Sequence, residues 1–294
     1  MHEISLHNDG HVTSIQIGRN LFNNLEVMNA KRLVFLVDEN VHRLHASKFE
    51  SMNCLLVPSG EKQKTLSFAE EILRKMVWME ADRTSFLVGV GGGLVTDLAG
   101  FVASVFMRGI DFGFISSTLL GQVDASIGGK NGVNLDGFKN MVGVFRQPEF
   151  VWCDLELLDT LDQRELVSGF SEVIKYAAIR DRELFNYIDG HLDSILKRNP
   201  NHLEAIIKSS AAIKAEIVQD DVNERGDRKL LNFGHTLGHA IEKLTGMMHG
   251  EAVAIGMVLA ARLSCNMGFL DPTELARLEQ MIASAGLPVK TDLL

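Results

Sequence analysis

The stretch that most constrains the fold begins at Ser85. A continuous apolar run to Val90 meets the glycines Gly91-Gly92-Gly93, and LVTDLAGFVASVF follows with the pattern of a helix. A short apolar run bounded by glycines reads as a strand buried on both faces, the kind found in parallel sheets. Glycines at its end would let a pyrophosphate approach bare backbone N–H groups at the positive end of the next helix. The spacing is not a strict GxGxxG, and a glycine cluster can be no more than a tight turn. The context decides for dinucleotide binding, because the preceding chain repeats strand and helix. Asp97 is placed in the first turn of this helix, where a carboxylate suits the dipole.

Upstream, ISLH and VTSIQIG flank Asn8-Asp9-Gly10, so residues 1–18 are expected to form a hairpin. Leu33–Val37 and Cys54–Val57 are further buried strands, ending in Asp38-Glu39-Asn40 and Pro58-Ser59-Gly60-Glu61. Residues 65–80 carry helical periodicity. Strands alternating with helices argue for a parallel sheet with βαβ crossovers, whose ligands sit at the carboxyl ends of the strands. Residues 106–147 read as the least regular part. They set Arg108, Asp124, Lys130, Lys139 and Asn140 among many glycines, as a phosphate-wrapping segment or an exposed loop would. Glu149–Asp154 is a final strand. Helical pattern dominates from Asp159, so the domain boundary is expected near 155. No internal repeat or low-complexity segment appears.

The second half holds NFGHTLGHAIEKLTGMMHGE, from Asn232 to Glu251. His235 and His239 are four apart and share a helix face; His249 opens the next apolar run after the break at Gly246. Two such histidines alone can be a polar face. A third, at the start of the next helix, argues for a divalent ion held by imidazoles with a position left open. A carboxylate ligand is sought upstream, in SGFSEVIKYAAI. Glu172 and Lys175 share a face of that apolar run, where charge is costly unless paired or turned to a charged site. Glu172 is therefore expected to join the ligands. Lys214 in AAIKAEIV, the polar loop Asn223-Glu224-Arg225-Gly226, and Arg228 follow the same run of helices.

Charge and composition exclude several classes. A formal net charge of −9 speaks against nucleic-acid binding, so an anionic substrate must meet a local cluster of cations. No apolar run approaches the roughly eighteen residues of a membrane span. The N-terminus MHEISLHNDG has no signal-peptide pattern. Cys54, Cys153 and Cys265 match no metal spacing and suit a reducing, cytoplasmic compartment.

A metal and a nicotinamide together suggest alcohol oxidation, and the extra cations suggest a phosphorylated substrate. The motifs GVGGGLVTDLAGF, FMRG, LLGQVDASIGGKNGVN, GFKNMVG, SEVIKYA, NFGHTLGHAIE and HGEAVAIGM carry a resemblance at this point. In that order and spacing the chain resembles the sugar-phosphate cyclase family, in its 3-dehydroquinate synthase branch, from near residue 30 to the low 260s. The resemblance implies an α/β N-terminal Rossmann-like nucleotide-binding domain over residues 1–154. It implies an all-α metal-binding domain over 155–294. It also implies conversion of a phosphorylated sugar acid, 3-deoxy-D-arabino-heptulosonate 7-phosphate, to 3-dehydroquinate with NAD and one divalent metal, zinc or cobalt. The implied metal ligands are Glu172, His235 and His249, with His239 a substrate or phosphate contact. Lys130, Lys175, Lys214, Arg228 and Asn232 are the implied substrate contacts, with Asp124 and Asn140 beside them. Arg108 is implied to reach the phosphate across a homodimer interface. On the nucleotide side the resemblance implies Asp38, Asn40, Glu61, Lys64, Gly92, Gly93, Asp97 and Lys139, with hydroxyl contacts from Ser117 and Thr118. There the family carries Pro-Thr-Thr and this chain has Ser116-Ser117-Thr118. Family members continue past the point matching Leu287-Pro288-Val289, so a shortened C-terminal domain is expected. The rival readings are a sibling cyclase, a metal-dependent NAD alcohol dehydrogenase of the same fold, and a non-catalytic remnant.

Overall fold

The computed structural model describes residues 1–8, 10–27, 32–221 and 226–292. Asp9 of the expected turn and Asn223-Glu224-Arg225 of the expected loop lie outside the described residues. The chain divides into two compact units, Met1–Leu161 and Asp162–Leu294.

The first unit is α/β. Its elements are β1 (His2–Asn8), β2 (His11–Gly18), β3 (Arg32–Asp38), α1 (Glu39–Leu44), β4 (Cys54–Val57), α2 (Leu66–Trp78) and β5 (Ser85–Gly91). After them come α3 (Gly93–Val105), β6 (Asp111–Ser116), β7 (Lys130–Leu135), β8 (Phe138–Phe145) and β9 (Phe150–Asp154). The main sheet runs β1-β2-β9-β6-β5-β3-β4. Only the β1–β2 pair is antiparallel. From β3 the chain steps out to β4 and then returns to the other side of β3 for β5. The carboxyl ends of β3 and β5 therefore flank the point where strand order reverses, which is where open α/β sheets take ligands. Asp38 and the glycines at 91–93 stand at those two ends.

β5 is buried along its whole length, as its unbroken apolar run requires. Phe35, Val37, Val88, Val90, Ile115 and Trp152 form one core with Phe22 and Phe49. Each such side chain contributes about 1.5–3 kcal/mol on burial.

The segment expected to be least regular is largely ordered. β6 is an interior strand, followed by a π-helical turn at Gly121–Ala125 and by the β7–β8 hairpin. The strand signal of β6 is broken in sequence by Gly113. A Cβ at Gly113 would meet the Phe150 ring at 2.5 Å, and that ring stacks on Trp152 at 4.1 Å. The glycine is a packing requirement from a strand 37 residues later, which local pattern does not carry.

The second unit is helical: α4 (Gln163–Arg180), α5 (Arg182–Leu196), α6 (Pro200–Asp220), α7 (His235–Thr245), α8 (His249–Asn266) and α9 (Pro272–Ser284). Side-chain caps start α4 to α6 and α9, from Asp162, Asp181, Asn199 and Asp271. The division into units falls after Leu161 rather than near 155. The turn Leu155–Thr160 buries Leu155, Leu157 and Leu158, and Leu157 belongs to the core of the first unit. No helix among the described residues is long and apolar enough to cross a membrane.

Glycines set the spacing of α8. A Cβ at Gly250 would fall on the Ser168 carbonyl of α4, and one at Gly256 on the Gly234 carbonyl just before α7. The Gly250 N–H donates to Ser168 Oγ at 3.1 Å. This close approach brings the first residues of α7 and α8 to the middle of α4.

Candidate metal centre and nucleotide-binding edge

Glu172 lies in the middle of α4 with its side chain 0 % exposed. Its Oε1 is 3.6 Å from Nε2 of His235, the first residue of α7. It is 3.7 Å from Nε2 of His249, the first residue of α8. The three ligand atoms lie within 4.8 Å of one another. Two metal bonds of about 2.0–2.1 Å at a tetrahedral angle separate their ligand atoms by about 3.3 Å, so a small contraction closes this group on one ion. Both rings are held by their other nitrogen. His235 Nδ1 is 3.2 Å from the Phe233 carbonyl, and His249 Nδ1 is 3.4 Å from Glu242 Oε2. Each hold suits a proton on Nδ1 and aims Nε2 at Glu172, so that Nε2 can bind an ion once it carries no proton. One carboxylate oxygen and two imidazole nitrogens fit zinc or cobalt and leave a position open for substrate.

Lys175 forms an ion pair with Oε2 of Glu172, leaving Oε1 as the oxygen nearest both imidazoles. Both partners are buried, and neither charge could be held there alone. Burial by itself pulls an imidazole below its usual range. At His249 the carboxylates of Glu172 and Glu242 outweigh burial and raise the pKa to about 9.

Two more cations are buried in this unit: Lys214 on α6 and Arg228 in the turn Asp227–Asn232. α4 packs against α6 and against that turn, so the elements bearing Lys175, Lys214 and Arg228 adjoin. Asn232 ends the turn and is exposed. His239 is exposed, with its ring 5.3 Å from that of His235.

The first unit collects the other expected residues at its strand ends. Asp38 Oδ1 caps α1, accepting from the N–H groups of Asn40 and Val41 at 2.8 and 3.3 Å. Asn40 Nδ2 donates to Ser59 Oγ at 2.7 Å, and Ser59 Oγ donates to Asp38 Oδ2 at 3.3 Å. Gly92 is the N-cap of α3 and offers no side-chain cap. A Cβ there would meet Thr118 at 2.9 Å, and one at Gly93 would meet Ala125 at 3.1 Å. Ser117 is buried beside this turn and donates its N–H to the Gly91 carbonyl. Asp97 is not in the first turn of α3 and so does not serve its dipole; it accepts from Lys64 Nζ at 2.5 Å. The same Nζ donates to Asn140 Oδ1 at 2.5 Å. Asp124 lies half-buried in the π-helical turn; Lys130 and Lys139 are exposed on β7 and β8. Arg108 is exposed on a turn where Met107 and Arg108 both have positive φ, at 49° and 72°.

Two residues escaped the sequence reading. Glu242, which holds His249, sits three after His239 on the same helix face, a spacing that was there to be read. Asn134 ties the β7–β8 hairpin to the segment 61–65. Its N–H donates to the Lys64 carbonyl at 2.8 Å, its Nδ2 donates to Glu61 Oε1 at 2.9 Å, and its Oδ1 accepts the Asn140 N–H at 2.9 Å. No local signal marks it, since its partners come from other elements.

Fold and sites together define a class: an α/β unit with a bare glycine turn at its strand reversal, and a helical unit with a carboxylate–imidazole group that could hold a metal ion. Residues 54–168 match the family model "3-dehydroquinate synthase N-terminal", and residues 169–294 match "3-dehydroquinate synthase C-terminal". The 3-dehydroquinate synthase of Thermoanaerobacter sp. (strain X514) is 44% identical over 272 residues, covering 89% of this chain and 76% of that protein. ValA, a 2-epi-5-epi-valiolone synthase from Streptomyces hygroscopicus subsp. jinggangensis 5008 solved with NAD+ and Zn2+, superposes with TM-score 0.89 at 28% identity. That match covers 96% of this chain and 82% of ValA. A 2-deoxy-scyllo-inosose synthase complexed with carbaglucose-6-phosphate, NAD+ and Co2+ gives TM-score 0.89 at 25% identity, over 99% of this chain and 84% of its own. The chain belongs to the 3-dehydroquinate synthase family.

Proposed function

We propose that the chain converts 3-deoxy-D-arabino-heptulosonate 7-phosphate to 3-dehydroquinate and phosphate, by oxidation, phosphate elimination, reduction, ring opening and aldol closure. The observation that carries this reading is the Glu172–His235–His249 group beside buried Lys175, in a chain 44% identical to a 3-dehydroquinate synthase. When bound, a zinc or cobalt ion would supply Lewis acidity to a substrate hydroxyl, and NAD would take up and return one hydride.

Glu172 Oε1 and the two Nε2 atoms hold the ion. Lys175 engages the second oxygen of Glu172 and fixes the orientation of the carboxylate. Lys214 and Arg228, already desolvated, bind the anionic groups of the substrate without paying for new reorganisation. Asn232 and His239 add polar contacts. In the first unit, Asp38 receives a ribose hydroxyl and Asn40 supports it, as an acid after an early strand does in NAD sites. Gly92 and Gly93 admit the pyrophosphate to the N-terminus of α3, with Ser117 and Thr118 alongside. Glu61, Lys64, Asp97 and Lys139 complete the nucleotide side. Asp124, Lys130 and Asn140 orient substrate. Arg108, exposed on its turn, serves the phosphate of a partner copy in a homodimer. Three free cysteines suit the cytoplasm.

The test is phosphate release from 3-deoxy-D-arabino-heptulosonate 7-phosphate with catalytic NAD and added zinc, while absorbance follows NADH. Many phosphates released per NAD without net NADH support the reading. Stoichiometric NADH with no phosphate overturns it in favour of a dehydrogenase. Turnover of a different sugar phosphate in its place points to a sibling cyclase.

A further inference from the structure

The second unit carries another three-ligand set. His239, Glu242 and His249 each bring one ligand atom to within 4.8 Å of the others. The two sets share His249 but use opposite edges of its ring. Nε2 is 3.7 Å from Glu172 Oε1, and Nδ1 is 3.4 Å from Glu242 Oε2. They also lie at different depths: Glu172 is fully buried, whereas His239 is exposed.

A neutral imidazole has one lone pair for an ion and one N–H to donate. His249 can therefore serve one set at a time. With Nε2 on an ion in the inner set, Nδ1 carries the proton and donates it to Glu242. With Nδ1 on an ion in the outer set, Nε2 carries the proton and donates it to Glu172. Occupying both at once would require an imidazolate. The geometry describes two alternative positions for one ion.

We propose that His239, Glu242 and His249 form an outer landing station, from which a divalent ion passes to Glu172, His235 and His249 as His249 exchanges tautomers. This rests on the inner set being the metal centre of the proposed function. In the transfer, the bonds to His239, Glu242 and Nδ1 break and those to Glu172, His235 and Nε2 form. Solvent takes the proton from Nε2 and returns one to Nδ1; no electron moves. The station answers a problem of access. Glu172 is 0 % exposed while His235 and His249 are 13 % and 26 % exposed, so an ion approaches the inner set from the histidine side, where His239 and Glu242 stand beside His249.

Cobalt(II) is the probe, its visible absorption followed by stopped flow after mixing with the metal-free full-length chain. Removing an intermediate slows loading and release together. His239→Ala should therefore load about tenfold more slowly while equilibrium affinity stays within about threefold. Unchanged loading overturns the station. So does a loss of affinity matching the loss of rate, which would put His239 in the inner set. Glu172→Gln disables the inner set and keeps the side-chain volume. It should still bind one cobalt(II), more weakly, and the added His239→Ala should remove it; indifference to that second change also overturns the station. If the unsubstituted chain binds no cobalt(II), the metal centre itself fails and the station with it.

Discussion

The side-chain oxygen of Asn134 accepts the backbone N–H of Asn140 at 2.9 Å, across the turn of the β7–β8 hairpin. Asn140 has a positive φ of 52°, a conformation that needs support in a residue other than glycine. So held, Asn140 presents its own side chain to Lys64, while Asn134 reaches Glu61. Asn134→Ala removes both links. The expected outcome is a stability loss of about 1–2 kcal/mol in urea unfolding. NAD affinity should fall as well, because Glu61 and Lys64 lose their common brace. Normal NAD binding by calorimetry would show that the brace is structural only.

Lys175 and Glu172 are buried together, and removing one leaves the other charged in a dry site. Lys175→Met should lower the stability of the metal-free protein by about 3–5 kcal/mol. Zinc should restore part of it, since the ion itself satisfies the carboxylate. Thermal melts with and without zinc measure both effects; a melting temperature unchanged by the substitution contradicts the pairing.

Metal affinity should depend on pH through His249. Its metal-free pKa lies at about 9, so below that pH an ion must displace a proton. Affinity should rise by up to about tenfold per pH unit from 7 toward 9 and then level, as far as this group is concerned. The sign for stability is opposite. The folded pKa lies above the usual value for histidine, so the protonated ring stabilises the metal-free fold at low pH. That contribution is lost as pH rises through about 9. A chelator competition series across this range would expose a flat profile.

Gly250 sets how closely α8 approaches α4. A Cβ there falls on the Ser168 carbonyl, so Gly250→Ala must push the start of α8, and His249 with it, away from Glu172. Because coordination tolerates only a few tenths of an ångström, zinc content after dialysis should fall well below one per chain. A variant that keeps a full equivalent of zinc would show that the approach of these helices is not what forms the site.

The sequence by itself determined the kinds of element and the ligand types. The unbroken apolar run before Gly91-Gly92-Gly93 required a strand covered on both faces. The i,i+4 histidines and the glutamate in an apolar helix marked metal-ligand chemistry, because period and polarity are local properties of the chain. Spacing alone left open which of these meet; the family motifs implied Glu172, His235 and His249, and the tertiary structure decided the geometry of their meeting. It turned His235 and His249 to one oxygen of Glu172 and gave the other oxygen to Lys175. It took Asp97 from a helix end and gave it to Lys64. It placed β6 inside the sheet despite Gly113 and showed Asn134 as a brace. Each of these depends on distances between segments far apart in sequence, fixed by side-chain packing such as Gly250 on Ser168 and Gly113 under Phe150. Local pattern carries no record of such distances.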